Sequence, residues 1–237
     1  MVSFLILGFL IGISHALEAD HLAAVGALAS SGNSSPKKLV FLGASWGMGH
    51  TTTLFLLSAI VLVFGYVLSA RLAAGMEFIV GVMLILLGIH VFWKIRQSRV
   101  HFHIHEHGDG NRHIHAHSHA GAKITHKKDP HQHKHGFSLR AYLVGLAHGA
   151  AGSAGLIALT AAATRDVTTA LFYVLVFGIG SIFGMALLTY AVSWPLRLSE
   201  KTTGRFFNMT QGAVASFAIY IGVNVMIENG PLLWSGL

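Results

Sequence analysis

Residues 2–29 read VSFLILGFLIGISHALEADHLAAVGALA, and the fold follows from how that stretch is read. A helix needs roughly 20 mostly apolar residues to cross the hydrocarbon core of a bilayer. This run supplies them, with only His15, Glu18, Asp20 and His21 as ionisable interruptions. It starts at residue 2 without a basic leader and continues without an A-x-A-like cleavage site before polar residues. It therefore reads as a retained helix rather than a signal peptide.

Five further segments meet the same test, at about 39–65, 71–95, 138–163, 167–194 and 205–228. Composition agrees with them. Of 237 residues, 53% are hydrophobic and 11% charged, against about a quarter charged in soluble domains. Mean hydropathy is +0.62. The expected fold is all-α: a polytopic membrane protein of about six transmembrane helices.

The breaks fall where turn chemistry predicts. Ser30 to Pro36 is a turn-rich loop, and Pro36 ends any helix before it. Residues 98–137 are too hydrophilic to cross lipid, and Trp194-Pro195 marks another exit. The net charge of +7 does not point to nucleic acid, because the basic residues sit between apolar runs, with no basic stripe and no interleaved aromatics. All 16 Lys and Arg except Arg71 and Arg165 lie in the loops between spans 1–2, 3–4 and 5–6. Positive loops stay cytoplasmic. Both termini are thus expected outside an inner membrane, and 98–137 inside. Cysteine is absent, which excludes disulfides and thiolate metal sites.

Three sections follow: 1–97 as a three-helix repeat, 98–137 as a His-rich loop, and 138–237 as a second repeat. Gly12 to Ala16 aligns with Gly145 to Gly149, Gly43 to Met48 with Gly180 to Met185, and Glu77 and Gly81 with Asn208 and Gly212. The offsets are 133, 137 and 131 positions. With three helices per unit, the second enters from the opposite face, and an inverted repeat is a transporter signature.

Ionisable groups inside lipid are costly and usually functional. His15, Glu18, Asp20, His21 and His50 are the candidate metal residues, with His148, Glu77 and Ser153 as possible pathway residues. On a straight helix at 100° per residue, Glu18 and His21 lie 60° and 120° around from His15, and Asp20 points away. Asp20 takes part either if the helix unwinds near Ala16–Ala19 or by accepting the free N–H of a ligating His; the second role is preferred. Imidazole with carboxylate suits Ni, Co, Zn or Cu rather than Mg or Ca. His90 reads as an interhelical hydrogen bonder.

Of the 17 histidines, twelve lie in the loop: His101, His103, His105, His107, His113, His115, His117, His119, His126, His131, His133 and His135. Low complexity predicts disorder, and neutral imidazoles on a loose chain buffer metal without imposing selectivity.

The stretch Ser14-His15-Ala16-Leu17-Glu18-Ala19-Asp20-His21-Leu22 resembles the R-H-A-x-D-A-D-H-[IL] hallmark of the nickel/cobalt transporter superfamily. Gly47-Met48-Gly49-His50-Thr51 is similar to its S-L-G-H-[ST] motif. Ser14 replaces the Arg, and Glu18 the first Asp. The acidic motifs of the larger members' second half are missing, and only Gly184-Met185 remains of one of them. The chain looks like the shorter six-helix branch, often labelled urease accessory or high-affinity nickel transport proteins. The resemblance implies that His15, Asp20, His21 and His50 recognise Ni²⁺ or Co²⁺ (with Zn²⁺ also a possible cargo). It further implies cytoplasmic metallochaperones or metalloenzyme-maturation factors as partners.

No G-x-x-x-x-G-K-[ST] nucleotide motif occurs, so transport would run on membrane potential, on proton exchange or on a separate partner. Export is the nearest alternative, since a cytoplasmic His tract could collect surplus metal. Zinc permeases also bear cytoplasmic His loops, but no expected helix here carries their paired H-N-x-x-D and H-E patterns. An intramembrane hydrolase lacks its motif: there is no H-E-x-x-H, and Gly152-Ser153-Ala154-Gly155 is not G-x-S-x-G. A membrane metal sensor or accessory protein would need neither the repeat nor the buried Asp.

Overall fold

The computed structural model describes residues 2–30, 36–66, 68–97, 100–106, 112–118, 137–152, 155, 156, 164, 166–200 and 204–234. Its helices are α1 (Val2–His15), α2 (Ala19–Ser30), α3 (Pro36–Phe64), α4 (Ala70–Gln97), α5 (Leu139–Ala151), α6 (Val167–Glu200) and α7 (Gly204–Trp234). Four of them, α3, α4, α6 and α7, are long and apolar enough to cross a membrane, and α1 with α2 makes a fifth candidate span bent by 56°. Of the sixth expected span, at 138–163, only α5 and a few following residues are described.

Large apolar side chains face outward: Ile79 is 60% exposed, Phe183 56% and Ile227 65%. The interior is lined by small and polar residues, among them Ala16, Ala23, Ala24, His21, His50 and Ser181, all buried. That distribution suits lipid outside, where helix contacts depend on close packing and interhelical hydrogen bonds rather than on hydrophobic exclusion.

Glycines let the backbones touch. A Cβ on Gly12 of α1 would lie 2.1 Å from the Phe177 carbonyl oxygen of α6, and one on Gly145 of α5 would lie 2.0 Å from that of Trp46 on α3. Likewise a Cβ on Gly180 would meet the Phe9 carbonyl oxygen at 2.2 Å, and one on Gly49 that of Tyr142 at 2.1 Å. Threonine hydroxyls tie the same helices. Thr53 donates to the Leu146 carbonyl at 2.9 Å and Thr51 to that of Gly178 at 3.0 Å.

These contacts also fix direction. Gly8 meets Tyr173 and Gly12 meets Phe177, so α1 and α6 run the same way; Gly145 meets Trp46 and Gly149 meets His50, so α5 and α3 do too. Gly47 against Ile182 and Gly178 against Thr51 show α3 and α6 running oppositely, as do α4 and α7 through Gly81 with Met226 and Gly88 with Ile219.

Residues 98–137, read from sequence as disordered, contain an antiparallel hairpin of β1 (Val100–Glu106) and β2 (Arg112–Ser118), in a register pairing His101 with His117, His103 with His115 and His105 with His113. The physical reason is visible in the His-x-His alternation, whose period of two is that of a strand.

Candidate metal site

The site starts where α1 stops. Leu17 N–H bonds to the Ser14 carbonyl at 2.9 Å and Glu18 N–H to that of His15 at 3.1 Å, which closes α1 with tight turns. α2 then opens at Ala19, its first-turn Asp20 accepting from the backbone N–H of His21 at 2.8 Å. A carboxylate in the first turn also suits the positive end of a helix. The straight-helix geometry used for the sequence is therefore replaced by a break between His15 and Ala19.

Because of that break, His15 and His21 pack edge to face with ring centroids 4.5 Å apart. His50, from the middle of α3, joins them at 5.2 Å from His15 and 5.1 Å from His21. Ring nitrogens of these three residues all lie within 4.8 Å of one another. His15 Nε2 is 3.1 Å from His50 Nε2, and its Nδ1 is 2.7 Å from a Glu18 carboxylate oxygen. Glu18 thus holds the outer nitrogen of His15 and leaves the inner one facing His50.

Asp20 holds the other end. One carboxylate oxygen is 3.0 Å from His21 Nδ1 and the other 2.9 Å from His148 Nε2 on α5. Asp20, His21 and His148 form a second group whose ligand atoms lie within 4.8 Å of one another. His21, His50 and His148 are at most 1% exposed, and His21 Nε2, His50 Nδ1 and His148 Nδ1 have no hydrogen-bond partner. Leaving buried polar atoms unpaired costs about 1–3 kcal/mol each, and of these three His21 Nε2 belongs to a residue of both groups.

A cavity of about 340 Å³ reaches His15 and is also lined by Ser14, Glu18, Glu77 and Phe177. Two carboxylates at its wall favour a cation. Ser153 lies outside the described residues, as do His107, His119, His126, His131, His133 and His135. His101, His103, His105, His113, His115 and His117 fall on the hairpin. His90 sits apart, its ring 6.0 Å from that of Trp93.

Two aromatic residues escaped the sequence reading. Phe177 packs 5.4 Å from the His15 ring, while Trp46, fully buried, packs 5.4 Å from His21 and 5.5 Å from His148. The available signal was the match of Trp46-Gly47-Met48-Gly49-His50 to Phe177-Gly178-Ile179-Gly180-Ser181, 131 positions on.

Helices that bury imidazoles around a half-buried carboxylate while turning apolar side chains outward define a multi-pass membrane protein with groups suited to hold a metal. The chain matches the NicO family, described as high-affinity nickel-transport protein, over residues 1–229, and it belongs to that family. It is therefore a nickel-transport family member and not an enzyme. It is also 28% identical to urease accessory protein UreH of Bacillus sp. (strain TB-90), over 99% of this chain and 97% of that one. No solved structure matches it.

Proposed function

We propose that the chain carries Ni²⁺ or Co²⁺ across the membrane through the His15, His21 and His50 cluster. The observation behind this is the convergence of three ring nitrogens within 4.8 Å of one another at a helix break inside the membrane. Metal–nitrogen bonds of about 2.0–2.1 Å place ligands roughly 3 Å apart, close to the 3.1 Å between His15 and His50. Glu18 and Asp20 orient His15 and His21 by accepting from their other ring nitrogens. The cavity at Glu18 and Glu77 is the way in. Likeness to a urease accessory protein supports delivery toward a metalloenzyme-maturation factor.

The two halves act as an inverted pair. Gly12 meets Phe177 O and Ser181 N as Gly145 meets Trp46 O and His50 N. Shifting α1 by 133 positions and α6 back by 131 turns the first set of contacts into the second, in place of the 137 offset read from sequence. The opposite directions of α3 and α6 support inversion. In this arrangement Ser181 stands where the first half has His50, so the site is built from one half with His148 added from the other.

Both termini lie outside, and residues 98–137 lie in the cytoplasm, where their histidines buffer the cargo. A divalent ion moving inward at 100 mV gains about 4.6 kcal/mol, twice the single-charge value. The test is flux of radiolabelled nickel in vesicles of known orientation, for the intact chain and for one lacking residues 101–135. Inward flux that survives deletion supports the reading. Outward flux would make the protein an exporter, and no flux above protein-free vesicles would end the transport assignment.

A further inference from the structure

We propose that the cargo ion has a second resting position, held by Asp20, His21 and His148, to which it passes from the first through the shared His21. This rests on the transport reading above and adds a step to it. Both groups meet the same distance criterion, with ligand atoms inside 4.8 Å, and His21 is the one residue common to them. Its two ring nitrogens serve different neighbours: Nδ1 lies 3.0 Å from Asp20, while Nε2 has no partner. His148 presents Nε2 to the second Asp20 oxygen at 2.9 Å and stacks on His21 with ring centroids 4.3 Å apart. One imidazole therefore stands between two ligand sets.

The sets differ chemically. The first offers three neutral nitrogens, and the second two nitrogens and an anionic oxygen. Transfer breaks the dative bonds to His15, His50 and His21 Nε2 and forms bonds to Asp20, His148 and His21 Nδ1. His21 and His148 each end with one ring proton on the opposite nitrogen, carried there by water that accompanies the ion, so no net proton is taken up. The positions also differ in access: His15 opens on the cavity, whereas the Asp20 side chain, not part of that lining, keeps 24% of its surface exposed.

The test uses full-length purified chains titrated with Co²⁺, followed by its visible absorption, with His21→Ala as the reference that removes the ligand common to both positions. Loop histidines contribute equally to every chain and cancel in the difference. Wild type should bind one Co²⁺ per chain more than the reference, as should the His15→Ala/His50→Ala double variant, with a changed spectrum. Adding Asp20→Asn to that double variant should remove the excess. If wild type shows the excess and the double variant does not, the second position falls while the first stands. If wild type shows none, both fall. His148→Gln can place an amide N–H where Nε2 meets Asp20 but loses the ligand nitrogen. It should leave wild-type Co²⁺ binding within about threefold and reduce vesicle flux at least about tenfold; unchanged flux would overturn the second position.

Discussion

His15 and His50 bring their Nε2 atoms to 3.1 Å across two helices, and Glu18 at 2.7 Å occupies the other nitrogen of His15. With its Nδ1 proton given to Glu18, His15 turns a lone pair inward. His50 meets it either as an N–H donor or, with a cation between them, as a second lone pair. The orphaned His50 Nδ1 is then the nitrogen that keeps the proton. Removing either lone pair should matter more than removing bulk. His15→Ala and His21→Ala are expected to abolish nickel accumulation while the protein still inserts, measured as radiolabelled nickel uptake normalised to membrane protein. Normal uptake by both variants would refute the site.

Acid should weaken cargo binding. A ligating imidazole must be neutral, and an ordinary imidazole protonates near pH 6.5. Each ligand that must shed a proton lowers apparent affinity by up to about tenfold per pH unit below its own value. Nickel titrations at pH 7.5 and 5.5 should show weaker binding in the more acid sample, and equal affinity would argue against imidazole ligands.

Gly12 and Gly145 should resist substitution. An alanine at either places a methyl group about 2 Å from a backbone carbonyl oxygen, and overpacking of a tight contact costs typically 1–3 kcal/mol. Backbone cannot swing aside as a side chain can, so the helices must separate. Gly12→Ala and Gly145→Ala should lower the thermal unfolding midpoint in detergent and reduce uptake. Gly155→Ala, with nothing within 4 Å of the added carbon, should leave the unfolding midpoint unchanged.

Asp166 caps α6. Its carboxylate accepts from the Thr169 hydroxyl and from the Thr169 backbone N–H, the latter at 2.8 Å. These bonds, the hydroxyl first, hold the carboxyl below the usual carboxylate range. A lowered value stabilises the fold above the unfolded carboxyl pKa, and that contribution is lost only as pH falls through the lowered one. The cap should thus survive mild acid. Amide exchange at Thr168 to Ala170 should be little changed between pH 7 and 5, after correction for intrinsic rates, and should quicken in Asp166→Ala.

The spans were legible because a bilayer imposes length and polarity together, and four of the six expected segments are single unbroken helices. The cluster residues were legible for a related reason: few titratable groups enter apolar runs, so those that do stand out. The break after His15 was not. No Gly or Pro lies between His15 and Ala19; the turn is held by packing, with Ala16 buried against Gly184. Nor, for the repeat proposed above, was the register between halves, since glycine-rich runs align in several ways. The choice of Trp46 opposite Phe177 comes from the carbonyls that Gly145 and Gly12 touch. The hairpin is hidden for another reason: the same residues are low in complexity, which points to disorder, and alternate with a period of two, which points to strands.

The glycine contacts have a mechanical consequence. α1 lies backbone to backbone against α6, and α3 against α5, so each close pair takes one helix from either end of the chain. A rigid body in a conformational cycle is made of elements that cannot slide apart. Residues 1–97 and 138–237 are interlaced like the fingers of two hands, and because α3 and α6 also meet backbone to backbone at Gly43 and Gly47, no plane through the bundle parts one sequence half from the other.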